Sequence, residues 1–108
     1  MYHVNGSDFR AILAHTHQTL QDLTDTKGVE YSNSDDQLAN FKRLAASLGV
    51  TPEFIILVYL TKHLDGINSF VAKGGELSEP ITGRIDDAIL YLVLLKACIL
   101  ESAVESRV

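Results

Sequence analysis

Apolar residues recur along this chain at helical spacing in four segments. The first carries Phe9, Ile12, Leu13, Leu20 and Leu23 on one stripe, with Thr16 on the same line. Ser7 is a good N-cap for it, Asp8 suits its first turn, and Gly28 is a natural stop, so a helix is predicted over about 8–26. Residues 28–34 read as a loop. Ser34 and Gln37 then form a capping-box pattern, with Asp35 and Asp36 in the first turn. The second helix, about 35–48, turns Leu38, Phe41, Leu44, Ala45 and Leu48 inward and ends at Gly49. Thr51-Pro52-Glu53 is the clearest start signal: a cap, a proline at the first helical position, then an acid. That third helix, about 52–71, opens with Phe54–Leu60, which is apolar on every side. Lys73-Gly74-Gly75 breaks the chain. Ser78-Glu79-Pro80 reopens a fourth helix, about 80–102, whose apolar surface is wider than one stripe, and the last six residues are expected to fray.

Four helices joined by short connections predict an all-α fold, a single domain over 1–108 built as an antiparallel four-helix bundle. Helices three and four carry more apolar surface than one small bundle can hide. The expectation is a homo-oligomer through these two helices, most simply a dimer.

Composition narrows the function classes. With 14 acidic against 9 Lys and Arg residues the net charge is −5, which disfavours direct nucleic-acid binding. The lone cysteine, Cys98, excludes an intramolecular disulfide and a Cys-rich zinc site. The uncharged runs Phe54–Thr61 and Ala88–Leu95 are each far shorter than the roughly 20 residues of a membrane span. The segment MYHVNGSDFR has neither the basic nor the apolar region of a signal peptide, so a cytoplasmic location is expected, and the Asn5-Gly6-Ser7 sequon is read as chance.

Candidate chemistry lies in four places: Asp22, Asp25, Lys27, Glu30 and Tyr31 after helix one; Asp35, Asp36, Asn40 and Lys42 on helix two; Lys62, His63 and Asp65 on helix three; Arg84, Asp86, Asp87 and Tyr91 on helix four. Arg84, Asp87, Tyr91, Leu94 and Cys98 share one helical face, with Asp86 about 100° away. Arg84 and Asp87 read either as an ion pair at the bundle's edge or as groups that hold a cation or orient a nucleotide. Tyr59, Lys62, Gly66 and Ser69 form one line on helix three. Lys62 is either a snorkelling lysine or a point charge for phosphate. His63 reads as a surface histidine, and His15 and His17, two apart, face different sides of their helix.

Several fragments occur in order: Lys27-Gly28-Val29-Glu30-Tyr31, Asn40-Phe41-Lys42-Arg43, Lys62-His63, Glu79-Pro80, Arg84, Asp87 and Tyr91. Over roughly residues 9–101 this order resembles the short, phage-type branch of the MazG-like all-α NTP pyrophosphohydrolases. The resemblance implies a four-helix core, usually dimeric or tetrameric, in which Glu and Asp from facing helices hold Mg²⁺ against a triphosphate. Water then attacks between phosphates, leaving a nucleoside monophosphate and pyrophosphate; hard oxygen ligands suit that metal. It implies catalytic roles for Asp87, Asp86 and Glu30 and metal ligation by Asp87, Glu30 and Asp25. Lys27, Tyr31, Lys62, Arg84, Tyr91 and Asn40 would hold the nucleotide. The chain departs from the family pattern at its acids. Only Asp22-x-x-Asp25 stands in for the E-x-x-E pair of helix one, and residues 83 and 84 are Gly and Arg where the later pair needs Glu.

Three functions follow as expectations. One is a Mg²⁺-dependent nucleotide pyrophosphohydrolase with a reduced carboxylate set. Another is a catalytically silent phage protein of the host cytoplasm that sequesters a cyclic or modified nucleotide signal. The third is a helical assembly or adaptor protein with no small ligand.

Overall fold

The computed structural model describes the backbone of residues 3–31, 36–75 and 80–106, and the side chains of 3–25, 36–75 and 80–104. The chain is all-α: α1 (Gly6–Tyr31), α2 (Ala39–Leu48), α3 (Pro52–Lys73) and α4 (Ile81–Ser106), with no strand among the described residues.

α1 starts earlier and ends later than its sequence suggests. Asn5, not Ser7, caps it: the Asp8 N–H donates to Asn5 Oδ1 at 2.8 Å, and the Asn5 N–H donates back to Asp8 Oδ2 at 3.2 Å. This reciprocal pair satisfies two N-terminal donors at once. Gly28 does not stop the helix. A glycine weakens a helix interior by about 1 kcal/mol but ends it only where the chain turns left-handed.

α2 begins at Ala39, later than expected. Asp36 organises its entry, accepting from the Leu38 N–H at 2.9 Å. The proposed cap Ser34 lies outside the described residues. Gly49 closes the helix at φ 70°, a backbone that L side chains rarely adopt, and its N–H donates to the Ala45 carbonyl. Thr51 caps α3 as its sequence indicates, accepting from Phe54 N–H at 3.2 Å. α4 continues to Ser106, past the expected fraying point at 102.

The core is shared by α2, α3 and α4. Leu38, Ile56 and Cys98 form its centre, with Phe41, Tyr91, Leu94 and Leu95 packed around them. Ala45, Ile55, Leu60 and Ala88 are also buried. α3 and α4 run antiparallel, since the start of α3 meets the end of α4 where Ser102 Oγ donates to Glu53 Oε1 at 3.1 Å. A second tie crosses from α2: Lys42 Nζ donates to Asp36 Oδ2 at 2.7 Å and to Glu101. That lysine, one of the candidate chemical residues, is committed to holding the ends of α2 and α4 together.

α1 lies against α4 and contributes no buried residue among those described. Leu20, Leu23 and Thr16 are half-covered, but Phe9, Ile12 and Leu13 are exposed, contrary to the single buried stripe expected of them. Leu48 is exposed as well. On α3, Ile55, Ile56 and Leu60 are buried while Phe54, Leu57 and Val58 face outward. By length and composition alone α3 is apolar enough to cross a membrane. The short uncharged runs did not suggest this, because the helix continues past Lys62 and Asp65 to further apolar residues.

Candidate functional site

The antiparallel packing of α3 on α4 builds one strip of polar and aromatic side chains. At its centre Tyr59 and Tyr91 are stacked, with ring centroids 5.7 Å apart and planes 5° from parallel. His63, one turn along α3, stacks on Tyr91 at 5.3 Å. Phe41 from α2 meets both tyrosines edge-on, at 6.2 and 6.3 Å. Such geometries place the positive edge of one ring against the negative face of another. Tyr59 stays 39% exposed, so the pile opens to solvent there.

The next turn of α3 carries Gly66, and the Arg84 side chain lies flat across it. A Cβ built on Gly66 would sit 2.6 Å from Arg84 Cδ, 2.8 Å from Nε and 2.9 Å from Nη1. Only a residue without a side chain leaves room for the guanidinium stem on this backbone. Lys62, exposed, precedes Gly66 by four residues and follows Tyr59 by three, so both cations border one strip beside the rings. Asp87 is half-buried one turn before Tyr91. The Tyr91 hydroxyl is held above its usual range, by burial first, then by Tyr59 and by the Asp87 charge.

His63 Nδ1 is buried with no hydrogen-bond partner among the described residues. Leaving a polar group so costs about 1–3 kcal/mol, and such groups in folded proteins call for an explanation.

The expected face of α4 forms as read: Arg84, Asp87, Tyr91, Leu94 and Cys98 all turn toward the packed side. Asp86 is half-buried a quarter-turn away, and Asn40 is half-buried beside Phe41. Asp25 is exposed on α1. The side chains of Lys27, Glu30 and Tyr31 lie outside the described residues. Among the described residues no three His, Cys, Asp or Glu side chains converge as a metal site. His63, Phe41, Tyr59 and Gly66 complete the strip although sequence reasoning gave His63 a surface role. The sequence signals for them were the shared line of Tyr59, Lys62, Gly66 and Ser69, the inward position of Phe41, and the place of His63 beside Lys62 among the candidate residues.

Cys98 is buried, as expected of a small core residue, and burial with Glu53 beside it pushes its thiol up to about 11. Comparison of the chain with protein-family models, with curated proteins and with solved structures finds no match in any of the three.

Proposed function

We propose that the strip along α3 and α4 binds a nucleotide. Arg84 and Lys62 take the phosphates, Arg84 through its planar fork and Lys62 as a point charge. Tyr59 offers its exposed part to the base, backed by Tyr91. The observation that carries this reading is Arg84 laid over Gly66 beside a half-open tyrosine stack. A helix interior that keeps a glycine gives up about 1 kcal/mol. Here the space goes to a cation at the edge of an aromatic pile.

Within this reading the MazG-like resemblance implies a reaction, hydrolysis of a (d)NTP to monophosphate and pyrophosphate, for which Asp87, with Glu30 and Asp25, would hold Mg²⁺. Sequestration of a cyclic or modified nucleotide uses the same cations and rings without turnover.

The test is a thermal-shift panel of NTPs, dNTPs and cyclic dinucleotides, with and without Mg²⁺. A ligand at one hundred times its Kd adds about 2.7 kcal/mol to the folded state. For a domain of this size that is a rise on the order of 10 °C. The shift is expected with at least one nucleotide and is lost in Arg84→Gln. Pyrophosphate release that disappears in Asp87→Ala identifies the hydrolase. Binding without release identifies the sequestering protein. No shift with any member of the panel overturns the reading and leaves a helical assembly protein.

A further inference from the structure

Asp87 is the one acid among the described residues of the α3–α4 strip, and its charge has the wrong sign for a phosphate. Its side chain is half-buried, and no hydrogen bond or ion pair joins it to another described residue. The carboxylate lies toward the rings, because its charge reaches the Tyr91 hydroxyl. The position of this group along the strip is informative. Tyr59 faces Tyr91 and Gly66 faces Arg84, so α3 and α4 keep step: ring end and cation end are seven residues apart on each helix. Seven residues rise about 10 Å. That is the span of a 5′-nucleotide from its base to its outer phosphates, with the sugar in between. Asp87 falls inside this interval, three residues after Arg84 and four before Tyr91.

We propose, resting on the nucleotide reading, that Asp87 selects the sugar and that the ligand is a 5′-phosphorylated ribonucleoside with both ribose hydroxyls free. An ionised carboxylate only accepts hydrogen bonds, through two oxygens. The phosphates of a nucleotide repel it, whereas a ribose brings two neighbouring O–H donors to the level where it stands. The N–H donors of the base lie a turn further along, over the tyrosines. Dinucleotide-binding folds use an acid on a ribose hydroxyl in the same manner. A 2′-deoxy sugar would leave one carboxylate oxygen without its donor. A phosphate on the 2′ or 3′ oxygen, as in a cyclic dinucleotide, would set a second negative charge against the first. This role differs from the metal ligation that the family resemblance implies for Asp87. A hard cation takes several oxygen ligands, and no three His, Cys, Asp or Glu side chains converge among the described residues.

The test is calorimetric titration of the full chain with each NTP beside its 2′-deoxy counterpart, and with cyclic di-AMP, both in Mg²⁺ and in EDTA. The wild type should bind the best NTP about tenfold to one-hundredfold more tightly than the matching dNTP, the effect of one hydrogen bond to a charged group. The ratio should be the same in EDTA. Asp87→Ala should remove most of the difference by weakening the NTP and sparing the dNTP. Asp87→Asn, which keeps the shape and one acceptor, should give an intermediate ratio and guards against an alanine variant that fails to fold. Equal wild-type affinities within every pair overturn ribose selection and leave the nucleotide reading standing. So does cyclic di-AMP bound more tightly than any NTP, and so does a ribose preference that both variants retain. A preference seen only with Mg²⁺ overturns it in favour of Asp87 as a metal ligand. No binding by any member of the panel overturns the nucleotide reading itself, and ribose selection falls with it.

Discussion

Replacing Gly66 by alanine separates the proposed binding role of Arg84 from any role in stability. The new methyl would lie 2.6–2.9 Å from Arg84 Cδ, Nε and Nη1. Nonbonded carbons prefer roughly 3.5–4.0 Å, so the arginine must withdraw by about 1 Å. The clash falls on a side chain rather than on backbone, but Arg84 is half-buried and gives up contacts of its own when it moves aside. Alanine meanwhile gains about 1 kcal/mol of helix propensity over glycine. These effects oppose each other, and the expected net change in stability is within about 1 kcal/mol, a few degrees in melting temperature at most. Binding is affected differently. A hydrogen bond to a charged group contributes about 1.5–3 kcal/mol, so a displaced Arg84 weakens nucleotide binding by between about ten- and one-hundred-fold. Thermal melts followed by circular dichroism give the first quantity, and calorimetric titration with the best ligand of the panel gives the second. Unchanged affinity with a displaced arginine would remove Arg84 from the site. A loss of more than about 3 kcal/mol in stability would show that Arg84 is instead a fixed part of the core.

Other residues carry further expectations. Ile56 is fully buried at the centre of the core, so Ile56→Ala should cost about 2–5 kcal/mol in chemical denaturation. Burial raises the Cys98 thiol from its ordinary value of 9.0 to about 11, and the folded state therefore favours the neutral thiol. Its contribution to stability is complete below pH 9 and is lost as pH rises toward 11, so melts across that window should show a decline that Cys98→Ala removes. The same burial predicts slow reaction of Cys98 with a thiol reagent until the chain unfolds. Lys42 joins Asp36 to Glu101 and holds the Asp36 carboxyl below its ordinary 3.8. The stabilisation is present above that value and disappears as acid protonates Asp36. Lys42→Met should lower the melting temperature modestly, and the difference should shrink in about 1 M salt. Tyr91 should ionise above its usual pH of 10 in an absorbance titration, with the gap reduced in Asp87→Asn.

Local chemistry explains which parts of the fold were legible. Thr51-Pro52-Glu53 and Gly49 act through their own backbone, and both boundaries stand where the residues indicate. Asn5 and Ser7 compete for one cap. The choice fell to Asn5 because Asp8 sits three residues on and can bond back to it. Burial was less legible than helicity. Phe9, Ile12 and Leu13 have the periodicity of a buried stripe, but periodicity marks the apolar side of a helix without saying what covers it. The same limit applies to Phe54, Leu57 and Val58 on α3. In the candidate site, the shared faces of Arg84, Asp87 and Tyr91 and of Tyr59, Lys62 and Gly66 follow from helical geometry. That the two faces meet depends on how α3 and α4 align. This register turned His63 from an expected surface residue into a ring stacked on Tyr91.

The proposed nucleotide site rests on Arg84 laid over Gly66 beside the tyrosine stack against which His63 packs. The most direct measurement is nitrogen-15 NMR of the Arg84 Nε–H and the His63 ring during titration with the nucleotide that most raises the melting temperature. Both sets of resonances should move in step, with one apparent Kd, and the Arg84 signal should slow its exchange with water as the ligand saturates. Signals at these two residues that stay fixed while the ligand binds elsewhere on the chain would contradict the account.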